Sequence, residues 1–340
     1  MKAVVKFADG MSGVACHEKP VPEPGKGEIR IKVLAAGICG TDLHIAYDEY
    51  PCNRPVTLGH EYVGTVDKLG EGVDQFSPGQ TVVSLACAYV CESCEFCAAG
   101  TYMMCEERRS IGSGVDGAMA EYVIVPADKA FAVQREASLE LALTEPVACC
   151  VRAVSEIGGV NDTHVVFISG PGFMGQMIMQ VAKRLGAKVV LSGIPGDEAR
   201  LALAKSLGAD YVCTNVEDIK AAFESLSVSS ADIAFECAGV AASLSNCIAN
   251  VKKQGSIIQV GLFGKPVPVD LDLVLRKEIQ IKTSFGSNTS TWKKTLQMVE
   301  EEPFVLHPYI SRVFAPEDIQ DAFKCAEDKS TYKTLISFSK

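Results

Sequence analysis

Four cysteines between residues 91 and 105 have the spacing of a closed metal site. Cys91, Cys94, Cys97 and Cys105 form a C-x2-C-x2-C-x7-C cluster. Four thiolates satisfy a tetrahedral zinc ion completely, so a site of this kind contributes to folding and performs no chemistry. An iron–sulfur cluster also takes four cysteines, but nothing else in the sequence indicates one-electron chemistry. We therefore predict a structural zinc lobe in this segment.

A second group of candidate ligands has mixed chemistry. It combines the thiol of Cys39, the adjacent pair His60 and Glu61, and the carboxyl group of Glu145. Each residue alone is weak evidence, but together they offer sulfur, imidazole and carboxylate, a set that zinc accepts. Three protein ligands leave one position for a substrate oxygen, where the metal polarises a carbonyl or lowers the pKa of an alcohol. The sequence thus predicts an open catalytic metal site.

A glycine-rich turn further along the chain predicts a dinucleotide site. Residues 170–175 read Gly-Pro-Gly-Phe-Met-Gly and lie between an apolar run at 165–168 and a predicted helix at 174–185. In this context the first glycine permits the turn, the second lets a pyrophosphate approach and the third allows the helix to pack closely on the strand. The predicted cofactor contacts in the turn are Gly170, Gly172, Phe173, Met174 and Gly175.

The ribose end of this predicted site lacks the acidic residue that is typical of NAD enzymes. A carboxylate that binds the ribose hydroxyls is expected about 20 positions after the turn, but Gly193 stands there, after Ser192. A 2′-phosphate would meet no repulsion at this point, and Arg200 could bind it or merely cap its helix. Asp197 could fold back towards the ribose, which keeps NAD open. The sequence favours NADP over NAD by a small margin.

The elements that must position these residues fall into two types. Short β-type runs such as 28–33, 62–66 and 121–125 alternate with Gly and Pro through residue 150, which predicts an irregular β-barrel. Strands alternate with helices over 151–284, which predicts a doubly wound parallel sheet. That rhythm ends near residue 285, and we expect the segment 285–340 to return to the first domain.

The composition describes an ordinary globular protein. The 340 residues are 48% hydrophobic and 22% charged, with a net charge of −10, so a nucleic-acid surface is not expected. No stretch reaches the roughly 18 apolar residues of a membrane span, and the first residues lack a signal peptide. We therefore expect a cytoplasmic protein with no membrane partner. In that compartment its 14 cysteines would be metal ligands or buried thiols rather than disulfides.

Together these motifs resemble those of the zinc-containing medium-chain alcohol dehydrogenases. The segment Gly59-His60-Glu61-x-x-Gly64, followed by Gly70 and Val73, is similar to the zinc signature of that superfamily. The segment Cys39-Gly40-Thr41-Asp42-x-His44 is similar to its first ligand motif, and the four-cysteine lobe has the family's spacing. The resemblance implies a GroES-like β-barrel catalytic domain over 1–150, a Rossmann domain over 151–284 and a C-terminal return over 285–340.

The resemblance also implies roles for individual residues. Cys39 and His60 would bind the catalytic zinc. Thr41 would take the proton of the alcohol, and His44 would carry it towards solvent. Asp42 would hold the second nitrogen of His60, as outer-shell carboxylates of metal-bound histidines commonly do.

The third protein ligand stays open between two glutamates. Glu145, followed by Pro146, resembles the polyol branch of the family, which includes sorbitol and L-threonine dehydrogenases. In that branch an acidic residue replaces the second cysteine of simple alcohol dehydrogenases. Glu61 is the other candidate, and the two could exchange. Sugar-alcohol enzymes often carry an Arg after the Phe of the loop 283–288, but here Gly286 follows Phe285, which argues against a sorbitol-like substrate.

The predicted function is zinc-dependent hydride transfer between NAD(P) and a secondary alcohol, a polyol or a related hydroxy compound. The resemblance implies a homo-tetramer or homodimer. One alternative is a zinc-free quinone or enoyl-type reductase of the same superfamily, which would have no need of Cys39, His60 and Glu145. Another is a non-catalytic structural or metal-storage protein, which would keep the four-cysteine lobe without the relay residues.

Overall fold

The chain forms two compact units. The computed structural model describes residues 1–301 and 304–338. One unit comprises Met1–Pro146 together with Ser287–Lys340, and the other comprises Val147–Gly286. The polypeptide therefore leaves the first unit once and returns to it, and each unit has a hydrophobic core of its own.

Both units are built around β-sheets. In chain order the strands of the described residues are Lys2–Lys6 (β1), Val14–Glu18 (β2), Glu28–Gly37 (β3), Val56–Thr57 (β4), Glu61–Leu69 (β5), Thr81–Ser84 (β6), Tyr122–Pro126 (β7), Ala130–Ala132 (β8), Val165–Ser169 (β9), Lys188–Ser192 (β10), Tyr211–Cys213 (β11), Ala231–Glu236 (β12), Val251–Gln259 (β13), Gln280–Thr283 (β14), Ile310–Phe314 (β15) and Lys333–Ser337 (β16).

The α-helices of the described residues are between 4 and 12 residues long. The α-helices are Gly40–Ala46 (α1), Glu95–Ala98 (α2), Thr144–Val151 (α3), Phe173–Arg184 (α4), Glu198–Ser206 (α5), Val216–Ser225 (α6), Ala241–Asn250 (α7), Leu271–Lys277 (α8), Thr289–Glu300 (α9) and Ile319–Glu327 (α10). A π-helical segment, Arg152–Ile157, follows α3. Single 3₁₀ turns occupy Met11–Gly13, Tyr102–Met104, Ala127–Lys129, Leu139–Leu143, His307–Tyr309 and Pro316–Asp318.

The first unit is organised around the long strand β3. This strand pairs antiparallel with β5, β7 and β16, in a sheet of order β15-β16-β3-β5-β6-β8 to which β7 is joined through β3. Its alternating residues Ile29, Ile31 and Val33 are buried, as the period of two of a strand with one core face requires. A smaller sheet of order β2-β1-β4 lies in the same unit. The pairing of β16 with β3 joins the C-terminal segment to the first residues of the unit.

The second unit contains a six-stranded parallel sheet. Its order is β11-β10-β9-β12-β13-β14, in which the first strand of the unit has later strands on both sides. Val166, Phe167 and Ile168 are fully buried, as expected of a strand covered on both faces. The predicted doubly wound parallel sheet is confirmed. Its carboxyl-terminal edge carries the turn at Gly170 and the residues after β10, which is where such sheets bind ligands.

No α-helix among the described residues has both the length and the apolar character needed to cross a membrane. The two longest, α4 and α9, contain 12 residues each.

Candidate metal and dinucleotide sites

The pairing of β3 with β5 brings two of the predicted ligand segments together. Gly37, the last residue of β3, lies opposite Glu61, the first residue of β5. Cys39 follows β3 as the N-cap of α1, and His60 directly precedes β5. A side chain at Gly37 would come within 2.5 Å of a Glu61 carboxylate oxygen and would displace that carboxylate from its present position. The register of two neighbouring strands therefore sets the spacing of three candidate ligands.

The ligand atoms of Cys39, His60 and Glu61 form a compact set. The sulfur, an imidazole nitrogen and a carboxylate oxygen all lie within 4.8 Å of one another. Burial lowers the pKa of His60, but the charges of Cys39, Asp42 and Glu145 outweigh it and hold that pKa well above its usual range. The negative groups that favour a proton on this imidazole would also favour a metal cation bound to the imidazole instead of that proton. The donor set therefore fits zinc.

A lysine from the C-terminal segment contacts this set. The Nζ atom of Lys333, at the start of β16, donates hydrogen bonds to both carboxylate oxygens of Glu61, at 2.5 Å and 2.7 Å. Both side chains are buried, with 10% and 1% of their surfaces exposed. Burial lowers the pKa of Lys333, but the carboxylate of Glu61 and the thiol of Cys39 raise it beyond the ordinary lysine value. Glu61 is therefore held by a charged partner inside the protein.

Asp42 ties the two ligand segments to each other. Its carboxylate accepts hydrogen bonds from the backbone N–H of Cys39 at 2.8 Å and from the backbone N–H of Gly59 at 3.2 Å. Burial raises the pKa of Asp42, whereas the nearby His60 and these two N–H groups lower it. Asp42 thereby orients both ligand loops. The bond from Asp42 to the second nitrogen of His60 that the family resemblance implies stays a prediction.

Glu145 lies close to the same set without belonging to its compact group. It occupies the first turn of α3 and is 8% exposed. Burial raises its pKa, the charge of His60 opposes that effect, and the charge of Glu61 adds to it. Among the described residues, the tight cluster contains Glu61 rather than Glu145. Both glutamates therefore remain within electrostatic reach of His60.

The predicted relay residues lie on α1. The hydroxyl of Thr41 is 3.8 Å from the Cys39 sulfur. His44 follows three positions later, on the same face of the helix. Its Nδ1 atom is 2.7 Å from an oxygen of Glu49, and about a third of the His44 side chain is exposed. Thr41 therefore adjoins the metal set, whereas His44 reaches solvent.

The four-cysteine lobe is assembled as its spacing predicts. The ligand sulfurs of Cys91, Cys94, Cys97 and Cys105 all lie within 4.8 Å of one another. Hydrogen bonds from Ser93 and Cys94 lower the pKa of the Cys91 thiol to about 6. All 14 cysteines are free of disulfides. This tetrad has the thiolate chemistry of a closed zinc site.

The glycine-rich turn has the local geometry of a dinucleotide site. Gly170 has a φ of +108°, and a side chain at Gly175 would lie 1.9 Å from the Gly170 carbonyl oxygen, so both positions require glycine. Gly172 is the N-cap of α4, and a side chain built there would meet no atom within 4 Å. That open space before a helix N-terminus is where a pyrophosphate would approach. The residues present therefore fit a nicotinamide dinucleotide.

The residues after β10 differ from the acidic pattern of NAD enzymes. Gly193 follows the buried Ser192, and the Asp197 carboxylate folds back to accept a hydrogen bond from the Ile194 N–H at 3.0 Å. The same carboxylate lies 3.6 Å from the Arg200 guanidinium. Asp197 and Arg200 therefore form an ion pair beside Gly193, the position at which NAD enzymes usually carry the ribose-binding carboxylate.

Sequence reasoning missed two residues of these sites, Lys333 and Glu49. Lys333 stands in the run Lys333-Thr334-Leu335-Ile336, and a lysine on the core face of an apolar strand is a signal for a buried ionic partner. The identity of that partner was not readable, because Glu61 lies 272 positions away. Glu49 lies five positions from His44, but its contact depends on a turn that propensities do not specify.

Comparison with known families agrees with this geometry. Residues 25–135 match the family model of the alcohol dehydrogenase GroES-like domain, and residues 174–301 match that of the zinc-binding dehydrogenases. The chain therefore carries the matching regions in the order implied by its motifs.

Individual proteins similar to the chain align over nearly its full length. A sorbitol dehydrogenase of Halalkalibacterium halodurans is 33% identical, with 99% of each chain covered. A D-arabitol-phosphate dehydrogenase of Enterococcus avium is 33% identical, with 99% of this chain and 97% of that protein covered. A Sinorhizobium meliloti 1021 protein solved with NADP bound is 29% identical, with a TM-score of 0.89 and 99% and 98% coverage.

Proposed function

The chain belongs to the zinc-binding alcohol dehydrogenase family, and we propose that it oxidises a polyol or a related secondary alcohol at a zinc ion held by Cys39, His60 and Glu145. The family and its NAD(P)-dependent alcohol and polyol chemistry argue against a non-catalytic role. The mixed donor set argues against the zinc-free reductases, because they have no use for these ligands. The observation that supports a mixed metal site is the convergence of Cys39 and His60 with a buried carboxylate, that of Glu61, within 4.8 Å; the choice of Glu145 as the ligand rests separately on the contact between Glu61 and Lys333.

Glu145 is the proposed third ligand because Lys333 already engages Glu61. Both oxygens of Glu61 accept hydrogen bonds from the Lys333 ammonium group. A zinc ion bound directly by Glu61 would compete with that ammonium group for the same carboxylate. Glu145 is buried in the first turn of α3, where its charge interacts with that of His60. Glu61 then neutralises the Lys333 ammonium group, and it would be the second carboxylate able to hold the ion.

The chain's own residues supply the remaining steps. When bound, zinc lowers the pKa of the substrate hydroxyl and the nicotinamide accepts the hydride. Thr41 Oγ1 accepts the proton that the hydroxyl loses, and His44 passes a proton on to solvent. Asp42 holds the backbone of Cys39 and Gly59 so that the ligands keep their spacing. The four-cysteine lobe stabilises the unit and takes no part in the reaction.

Metal analysis and variants test the ligand set. We expect two zinc ions per chain in the wild-type protein and one in Cys39→Ser, with loss of turnover and retention of the fold. Glu145→Gln should lose most of the second zinc, whereas Glu61→Gln should keep it and turn over more slowly. The reverse pattern for the two glutamate variants would overturn the assignment of Glu145. Full turnover by Cys39→Ser would overturn the mechanism.

The alcohol can be identified with a substrate panel. Sorbitol, arabitol, arabitol phosphate, L-threonine and simple secondary alcohols should be assayed with each cofactor by the absorbance of the reduced nicotinamide. The relatives named for sorbitol and for D-arabitol-phosphate support a polyol. Gly286 stands after Phe285 where sugar-alcohol enzymes often carry an Arg, so we expect the best substrate to differ from sorbitol. Activity restricted to simple monohydric alcohols would contradict the polyol assignment.

For the cofactor, we infer a preference for NADP. Gly193 itself carries no carboxylate at the end of β10, and the Asp197 carboxylate that folds back to 3.0 Å from a side chain built at this position lies 3.6 Å from Arg200, whose guanidinium group would bind a 2′-phosphate there. The similar Sinorhizobium meliloti protein was solved with NADP. Arg200→Met should lower kcat/KM for NADP about tenfold with little change for NAD, and Asp197→Asn should favour NADP further. A wild-type preference for NAD would overturn this inference.

We also propose a homodimer formed through the second unit. The residues of β14, at the edge of the parallel sheet, are all exposed, and α8 beside it buries none of its residues. Leu271 and Leu275 of α8 are 67% and 74% exposed in the isolated chain. A second copy could continue the sheet at this edge and cover these side chains. Leu275→Asp should convert the dimer to a monomer in sedimentation experiments, and a wild-type monomer would contradict the proposal.

A reducing compartment suits this chemistry, and we propose the cytoplasm. None of the 14 cysteines forms a disulfide, and both candidate metal sites depend on thiolates. Thiols persist in reducing compartments and form disulfides elsewhere. Fractionation of the native host would test this location.

A further inference from the structure

A carboxylate outside the predicted site contacts the candidate relay histidine. α1 ends at Ala46, and the chain turns back through Asp48, which has a φ of +62°. The backbone N–H of Glu49 then donates to the His44 carbonyl oxygen at 2.8 Å. This turn brings Glu49 Oε2 to 2.7 Å from Nδ1 of His44.

A buried lysine fixes the turn that presents Glu49. The Nζ atom of Lys6, which is fully buried, donates to the Ala46 carbonyl at 2.9 Å and lies 2.8 Å from Asp48 Oδ1. The other oxygen of Asp48 accepts the Gly10 N–H at 2.6 Å. A left-handed backbone conformation costs about 1 kcal/mol or more for a residue other than glycine, so it persists only where its surroundings hold it. The backbone that carries Glu49 is therefore held in place by these contacts, and the Glu49 side chain, 61% exposed, reaches His44 from it.

The partner atoms determine the tautomer of His44. A carboxylate can only accept hydrogen bonds, so the Nδ1 atom of a neutral imidazole beside it must carry the proton. The Nε2 atom then has a free lone pair. Without a hydrogen-bond partner, a neutral histidine in water exchanges between its two tautomers, and the orientation of its ring is not fixed. The contact with Glu49 therefore prepares Nε2 of His44 to accept a proton.

We propose that Glu49 is a positioning residue for the proton relay: it holds His44 with the proton on Nδ1 and presents Nε2 as the acceptor. This inference rests on the proposed function, in which His44 moves the alcohol proton. The proton leaves the substrate hydroxyl, passes by way of Thr41 Oγ1 to Nε2 of His44, and then leaves Nε2 for solvent. The hydride goes to the nicotinamide, so the relay carries only the proton. Glu49 exchanges no atom with the substrate.

The other charged groups around the turn already have partners. Asp48 is engaged by Lys6 and lies 3.6 Å from Arg54. The Tyr47 hydroxyl is hydrogen-bonded to Glu327 of α10, and this contact raises the pKa of Tyr47. Of the charged side chains of this turn, Glu49 is therefore the one that contacts the His44 imidazole.

The tautomer of His44 can be measured directly. The chain has five histidines, so long-range proton–nitrogen NMR spectra of the zinc-loaded, histidine-labelled protein should resolve His44, assigned by its loss in His44→Asn. At a pH where the imidazole is neutral, we expect the Nδ1–H form in the wild-type protein. Glu49→Ala should shift His44 towards the Nε2–H form, whereas Glu49→Gln should keep Nδ1–H because its amide oxygen still accepts the bond.

Turnover provides the second measurement. Glu49→Ala should lower kcat for alcohol oxidation about tenfold, within the range of general acid–base effects. Its zinc content and its KM for the cofactor should stay unchanged. Glu49→Gln should restore most of the turnover, and Glu217→Ala, an exposed glutamate of α6, serves as the matched control. In a His44→Asn background, Glu49→Ala should have no further effect.

Two results would overturn the proposal. One is a wild-type His44 in the Nε2–H form, or a tautomer that Glu49→Ala leaves unchanged. The other is a tautomer that changes in Glu49→Ala with no loss of kcat. Neither result bears on the proposed zinc-dependent oxidation itself, because that depends on the metal content and turnover of the Cys39→Ser variant.

Discussion

The Lys333 ammonium group binds both carboxylate oxygens of Glu61, at 2.5 Å and 2.7 Å, directly beside the candidate metal ligands Cys39 and His60. The pair lies 272 positions apart in the sequence and is buried. A buried ion pair is a weak source of net stability, but removal of one partner leaves an uncompensated charge. The relationship therefore makes Lys333 part of the metal site without making it a ligand.

Replacement of Lys333 tests this relationship. Lys333→Met should reduce the free energy of unfolding by about 3 kcal/mol, because the Glu61 carboxylate would remain buried without its cation. Lys333→Arg retains the charge and should recover most of that loss. Urea unfolding of both zinc-loaded variants provides the measurement. Equal stability of Lys333→Met and the wild-type protein would show that Glu61 finds another partner.

We expect the four-cysteine lobe to contribute to the stability of the protein and not to its turnover. Cys94→Ser should release one zinc ion per chain and lower the thermal midpoint by about 10 °C, because structural zinc contributes folding energy. The set around Cys39 does not involve this lobe, so folded Cys94→Ser should keep its turnover per remaining zinc ion. Elemental analysis together with kcat at a low temperature checks both parts. Loss of turnover in a folded sample with one zinc would assign the lobe a direct role in the reaction.

Alanine substitutions at two glycines of the dinucleotide turn should have different effects, one on cofactor binding and the other on stability. Gly172→Ala places a methyl group in space with no atom within 4 Å, so the protein should fold normally and bind the dinucleotide about tenfold more weakly. Gly175→Ala drives a methyl group to 1.9 Å from the Gly170 carbonyl oxygen and should destabilise the second unit itself. Calorimetric titration with the reduced cofactor and thermal unfolding distinguish the two. Identical behaviour of both variants would contradict the assigned geometry.

Asp232 predicts a pH dependence of stability. Its carboxylate accepts the Val165 N–H at 2.7 Å and binds Lys252 at 2.5 Å. Burial raises the pKa of Asp232, but these two contacts outweigh it and hold the pKa below the usual range. A lowered carboxyl pKa contributes stability above the unfolded-state value, and this contribution is lost as the pH falls through the folded-state value.

The corresponding measurement is urea unfolding of Asp232→Asn over a pH series. At neutral pH this variant should be less stable than the wild-type protein by about 1 kcal/mol, since a charge-assisted bond at the start of β9 is lost. The difference should shrink as the pH falls below about 4, the unfolded-state value, and disappear once the folded-state carboxyl group, whose pKa is lower, is also neutral. Asp74→Asn, at an exposed position, is the control. A difference that persists at acid pH would point to lost packing instead of lost charge.

Local sequence patterns predicted those parts of the sites that depend on few consecutive residues. The spacing of the four cysteines and of the turn at 170–175 is a property of short segments, and both segments have the predicted geometry. The apolar run at 165–168 predicted a buried strand for the same reason, and β9 covers it. The fold class followed from such alternations, because strand and helix periods are local as well.

The remaining parts depend on contacts that sequence spacing does not encode. Lys333 meets Glu61 because β16 pairs with β3 on one side while β5 pairs with it on the other. Glu49 meets His44 because the buried Lys6 fixes a left-handed residue between them. The choice between Glu61 and Glu145 could not be made from spacing, since it depends on Lys333, which binds both oxygens of Glu61 and is remote from both glutamates in the sequence.

The place of Gly37 has a consequence for how the protein matures. This residue is opposite Glu61 on one neighbouring strand and opposite Leu335 on the other. The partner of Glu61, Lys333, lies 272 positions further along the chain and therefore emerges from the ribosome long after Cys39 and His60. A nascent chain that ends before β16 would contain Cys39 and His60 but not Lys333, the cation that neutralises Glu61. We therefore expect the candidate metal site to be loaded only after β16 has been synthesised and has paired with β3.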